Sequence, residues 1–158
     1  MKKILYTLLA VSIIFTACKK EEGCTDAIAT NYNADAEDDD NSCIYSIVGT
    51  WSPTSMAVIA NVSMAGMTLM DTSYTMTPSD EDWELSNFEF TADGQVIVEG
   101  ESLPYSYSGN VLTTTQDGET TTETCTVTKT NMVLIMNETD EEDGMTITSN
   151  ITINFTRQ

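Results

Sequence analysis

The clearest pattern in the chain lies at its end. Met145, Ile147, Ile151, Ile153 and Phe155 fall on odd positions, while Thr146, Thr148, Asn150, Thr152, Asn154 and Thr156 fill the even ones, and only Ser149 breaks the apolar series. A period of two sends one set of side chains to a core and the other to water, so the segment predicts a β-strand. Met56, Val58, Ala60, Val62 and Met64 repeat the rhythm, as do Phe88 and Phe90. Between such runs stand Ala92-Asp93-Gly94, Ser108-Gly109-Asn110, Gln116-Asp117-Gly118 and Glu142-Asp143-Gly144. Asp-Gly and Gly-Asn pairs accept the positive φ of tight hairpins, so these are expected turns of an antiparallel meander.

The expected strands are 51 to 64, 67 to 70, 85 to 91, 95 to 100, 103 to 108, 111 to 115, 119 to 130, 131 to 138 and 145 to 157, with Ala65-Gly66 read as a bulge and no helix of consequence. About eight antiparallel strands of this length can close into an up-and-down barrel, which removes every exposed edge. The same strands could also pack as a β-sandwich. Asp71 to Glu84, with Tyr74, Pro78, Asp80 and Trp83, reads as a long loop that caps the barrel mouth or packs against its outside.

The N-terminus has a different texture. Lys2 and Lys3 precede an uncharged, largely apolar run from Ile4 to Thr16, a length suited to a signal peptide and too short to span a bilayer. Phe15-Thr16-Ala17-Cys18 ends it. This stretch resembles the lipobox of bacterial lipoproteins, with Phe15 in place of the usual Leu. The resemblance implies cleavage after residue 17 and acylation of Cys18, and several acyl chains at about 0.8 kcal/mol per buried methylene hold a protein firmly to a membrane. Residues 18–22 form the tether, and Lys19-Lys20-Glu21-Glu22 resembles the short tag that marks some lipoproteins for display on the outer face of the outer membrane. The expected localisation is therefore the outer membrane, lipid-anchored and displayed on the cell surface if the tag is read.

With Cys18 acylated, the natural pair in an oxidising envelope is Cys24 with Cys43, closing a polar loop and stabilising it by roughly 3 kcal/mol. The enclosed residues 23–43 run Gly-Cys-Thr-Asp at the start, Asn31-Tyr32-Asn33 in the middle and Asp39-Asp40-Asn41-Ser42-Cys43 at the end. They resemble a short module of envelope and secreted proteins of lipoprotein-rich Gram-negative bacteria, with Ala27 and Ala34 at positions where proline is common and Asn41 replacing glycine in a turn. Asn tolerates the left-handed conformation next best after Gly. Asn33, Asp35, Asp38, Asp39 and Asp40 offer hard oxygen ligands of the kind calcium takes, without the spacing of an EF-hand loop; the alternative is a solvated acidic spacer.

Residues 44–158 form the barrel domain. Gly49-Thr50-Trp51 opens its first strand and Arg157 ends its last. This pairing resembles the Gly-X-Trp motif of lipocalins and bacterial lipocalin-like domains, in which the tryptophan plugs the closed end and an arginine of the last strand lies across it. The second lipocalin motif, a Thr-Asp-Tyr-like stretch, is not evident. The resemblance implies a lumen that binds a small apolar or amphipathic ligand, with Met56, Val58, Phe88, Phe90, Met145 and Ile147 as candidate lining. A filled barrel without ligand, serving a structural or surface-interaction role, is the competing reading.

Composition narrows the chemistry. A formal net charge of −19, with 6 basic and 25 acidic residues, excludes nucleic acid as a partner. The chain has no histidine, the usual general base and the commonest zinc ligand. Cys125 shares its parity with Val127 and should point inward as a small apolar residue, with no cationic neighbour to make it a nucleophile. Met64, Met67 and Met70 form a run that can hold Cu(I) through thioethers, but spacing of three on one strand alternates faces, so barrel lining or flexible packing is the competing use. No catalytic residue is expected.

Overall fold

The computed structural model describes residues 20–158. The signal run and Cys18 lie outside the described residues. The chain divides into two compact units, one ending at Ile44 and one running Tyr45–Gln158.

In the first unit β1 (Glu22–Gly23) pairs in parallel with β2 (Asp38–Asp39), and a disulfide joins Cys24 to Cys43. Two-residue strands hold little by themselves, so the unit relies on local side-chain caps. Asn33, Asp39 and Asp40 each accept the backbone N–H two residues on, at 3.0, 2.7 and 2.9 Å. These are Asx turns, the natural use of short polar side chains in a segment without an apolar core. Asn41 adopts the left-handed conformation, φ 61°, that the turn requires. Asn31 clamps the end of the unit, donating to Ser42 O at 2.6 Å and accepting from Ile44 N at 2.7 Å.

The second unit is an antiparallel closed barrel. Its strands are β3 (Gly49–Met64), β4 (Met67–Met76), β5 (Phe88–Phe90), β6 (Gln95–Val98), β7 (Glu101–Ser108), β8 (Val111–Gln116), β9 (Glu119–Val127), β10 (Asn131–Glu142) and β11 (Met145–Arg157). Eight of them make the ring, in the order β3-β5-β6-β7-β8-β9-β10-β11, and β11 pairs back onto β3 to close it. No helix occurs among the described residues. The sandwich alternative is thereby excluded, and all four expected hairpin turns join the strands they were read between.

Two expectations are corrected. The segment 71–76 is not loop: β4 continues through it to Met76, paired with Met56–Met64 of β3, and the connection to β5 is 77–87. Ala65-Gly66 is not a bulge but a tight turn, φ 50° and 78°, and the irregularity lies nearby, where the register shifts between Val62 and Ser63.

β3, β4, β10 and β11 are longer than the other strands, and this shapes the molecule. β9 pairs with β10 only as far as Thr124↔Ile135, and β5 pairs with β3 only over Gly49–Trp51. Beyond those points β10, β11, β3 and β4 pair with one another alone, forming a four-stranded extension of the wall. The core sits at the opposite, closed end, where Trp51, Phe90, Cys125, Met132 and Phe155 are almost fully buried.

Candidate functional site

Gly49, Trp51 and Arg157 set the floor of the barrel. Trp51 is fully buried, stands opposite both Phe88 of β5 and Arg157 of β11, and donates its indole N–H to Ile47 O at 2.8 Å. The Arg157 guanidinium lies 4.2 Å from the Trp51 ring centroid. Its nitrogens donate to three backbone carbonyls: Nη1 to Val48 at 2.9 Å, Nη2 to Ser46 at 2.6 Å and Nε to Lys129 at 3.1 Å. One side chain thus ties the lead-in to the first strand, the β9–β10 turn and the last strand together. Gly49 is required beside it, because φ is 136° and a Cβ there would lie 3.0 Å from Arg157 Nη1.

Above this floor a cavity of about 320 Å³ opens inside the ring. That volume is within the range of small-molecule sites. The aromatic part of its wall is Phe88 and Phe90, held by ring contacts to Phe155 and Tyr105 at centroid distances of 5.0 Å. Val96, Leu112, Leu134 and Ile153 rise from the core, and Leu85, Val98, Leu103 and Met136 continue the apolar wall. Three polar side chains interrupt it: Thr114, Thr121 and Glu123.

These three lie together on β8 and β9. Thr114 and Thr121 are paired across the strands and share a hydrogen bond of 2.8 Å between hydroxyls. Glu123 stands opposite the buried Leu112 and so points inward. Partial burial, with the Glu138 charge as a lesser cause, raises its carboxyl above the usual glutamate value. An apolar chamber with one carboxyl in its wall is suited to an apolar body carrying a polar head.

Of the six candidate lining residues, the cavity uses Phe88 and Phe90. The other four are corrected. Met56 packs against the core and Val58 is buried on the same inward face, but neither lines the cavity. Met145 and Ile147 face Met64 and Val62 in the extension, past the end of the ring. Their alternation gives the inward face correctly; it carries no information on how far along a strand the ring extends. Leu103, Leu112, Leu134 and Met136 also line the cavity, each on the inward parity of its own strand, a signal that the sequence carries. Glu123 also carried a signal, as an acidic residue two positions from Cys125 on an inward series.

The candidate calcium ligands do not converge. The caps already described occupy Asn33, Asp39 and Asp40, Asp39 also accepts from Thr25 at 3.1 Å, and Asp38 pairs with Lys20 at 3.1 Å. Asp35 provides its backbone N–H to Asn33. Among the described residues no group of three or more Asp, Glu, Cys or His side chains is placed to hold a metal ion. Hydrogen bonding to Ser42 lowers the Asp40 carboxyl below its ordinary value, so the cap is made by the ionised form.

Cys125 is buried, and burial pushes its thiol up to about 12. A thiol held protonated is a poor nucleophile, so its place is in packing, opposite Leu134. Trp83 is half-buried in the 77–87 connection and does not line the cavity; Asp80 organises that connection by accepting from Thr77 N at 2.6 Å. No helix among the described residues is long and apolar enough to cross a membrane. No family model matches the chain, and neither the curated proteins nor the solved structures contain a significant match to it.

Proposed function

We propose that this chain is a lipid-anchored cell-envelope protein whose barrel binds a small apolar or amphipathic molecule without transforming it, in the manner of a lipocalin-like domain. The observation that carries the reading is the cavity of about 320 Å³, in which ten of thirteen lining side chains are apolar. A filled barrel would have served a structural role; an apolar chamber of this size favours a guest.

Charge selects the guest further. Within Tyr45–Gln158 the only basic residues are Arg157, whose guanidinium forms the closed-end clamp, and Lys129, whose backbone carbonyl accepts from it; neither lines the cavity, whereas Glu123 lies in its wall. A neutral or cationic head group suits that wall, and a fatty-acid carboxylate does not. Anchoring rests on the sequence around Cys18 and the signal-length run before it, and the charged Lys19-Lys20-Glu21-Glu22 tether favours display at the outer membrane surface.

Native mass spectrometry of the protein purified from its own cells tests both parts. The expected species begins at an acylated Cys18 and carries one small non-covalent guest that is released on activation. A chain beginning elsewhere contradicts the anchor, and a guest-free chain that also takes up no apolar probe contradicts the binding role.

A further inference from the structure

The far end of the four-stranded extension carries chemistry that the cavity does not use. Two tight turns lie side by side there, Ala65-Gly66 with φ 50° and 78°, and Asp143-Gly144 with φ 51° and 78°. Each has two consecutive positive φ values, the condition for a two-residue hairpin whose flanking residues face each other. The flanking residues are Met64 with Met67, and Glu142 with Met145. Because β3 and β11 also pair, with Met145 opposite Met64, the four make one continuous cross-strand row: Met67, Met64, Met145, Glu142. Directly opposed residues point to the same face, with Cβ atoms about 4.5–5.5 Å apart.

Met70 joins them through an irregularity. Spacing of three along one strand would put Met67 and Met70 on opposite faces. Here the register shifts: Met67 faces Met64, Thr68 faces Ser63, and Met70 faces Val62, leaving Leu69 as the extra residue. Val62 lies two positions from Met64, so Met70 returns to the face of Met67, in the next row. Four thioethers therefore share one face within two adjacent rows.

None of these side chains belongs to the core. Met64, Met67 and Met70 are 40%, 66% and 59% exposed, so their burial contributes little to stability. Thioether sulfur is a soft neutral ligand, and flexible methionine side chains can bring sulfur atoms from adjacent strands to one point. Glu142 and Asp140 continue the same two rows, and among β3, β4, β10 and β11 the only basic residue is Arg157 at the other end. The local field attracts cations, and the sulfur atoms select the soft ones.

We propose that Met64, Met67 and Met145, with Met70 as a further donor, form a site for a soft monovalent ion of the Cu(I) class. The site is independent of the cavity. The test uses Ag(I), a redox-inert ion of the same class, added as silver nitrate in chloride-free buffer to the full chain carrying Cys18→Ser and labelled with [13C-methyl]methionine. The expected result is that the Met64, Met67 and Met145 methyl signals shift together and saturate at one equivalent while those of Met56 and Met132 stay in place. Met64→Leu, which preserves volume and apolarity at an exposed position, should weaken Ag(I) binding at least 10-fold, and Met56→Leu should leave it unchanged. Equal response of all methionine methyls, no response at the turn, or a Met64→Leu chain that titrates like its parent overturns the proposal.

Discussion

Arg157 ties the closed end of the barrel together through one side chain. Its three hydrogen bonds go to carbonyls from segments that are distant in sequence, and its stacking covers the indole that fills the floor. Hydrogen bonds from a charged donor and a cation–π contact are each worth about 0.5–3 kcal/mol, so Arg157→Ala should lower stability in urea by about 2–4 kcal/mol. Arg157→Lys should recover less than half of that loss, because an ammonium cannot span three carbonyls in one plane. Full recovery of stability in Arg157→Lys would instead show that the charge alone matters. Glu123 gives the second residue-scale prediction. Its carboxyl is raised in the folded state by burial, so the folded chain holds its proton more tightly than the unfolded one does. That penalty is absent below the unfolded value and grows as pH rises through the folded one. Glu123→Gln should therefore raise the melting temperature at pH 7 and raise it less at pH 4, as read by thermal unfolding at the two pH values.

Among the elements, the disulfide-closed unit and the barrel differ in what holds them. The first has two-residue strands, Asx caps and almost no apolar interior, so Cys24–Cys43 is the main constraint on it. Replacing both cysteines by serine should cost that unit roughly 3 kcal/mol. Amide exchange in residues 23–43 should become fast while the barrel amides keep their protection; protection retained in both would contradict this account. The barrel strands were legible because a period of two survives in β3 and β11, and because Asp-Gly and Gly-Asn pairs mark their turns. β4 was legible only in part. Asp71, Thr72, Ser73, Tyr74 and Thr75 have no apolar alternation, and they form a strand because the β3 edge beside them is free beyond Trp51. The wall of the cavity was the least legible. Whether an inward residue touches the lumen depends on where its neighbours stop, and the shortness of β5 and β6 leaves Met145 and Ile147 outside the ring.

At the scale of the molecule, closure is what turns strand pattern into a container. β3 pairs with β11 from Trp51↔Arg157 to Met64↔Met145, so the first and last barrel strands share a continuous seam and the apolar faces enclose a volume rather than cover a plane. The Gly49-Trp51-Arg157 arrangement expected from the chain ends is present as geometry. The calcium arrangement expected from the acidic segment is not found among the described residues: Asn33, Asp39 and Asp40 cap turns and Asp38 pairs with Lys20. The most direct test of a ligand-binding lumen is a titration with N-phenyl-1-naphthylamine, a neutral apolar dye that fluoresces when removed from water. The account predicts saturation at one dye per barrel, and loss of at least 10-fold in affinity in Met136→Trp, whose larger side chain projects into the cavity, with the strand signal in circular dichroism unchanged. Dye binding that is undiminished in Met136→Trp, or no binding to the parent chain, would contradict it.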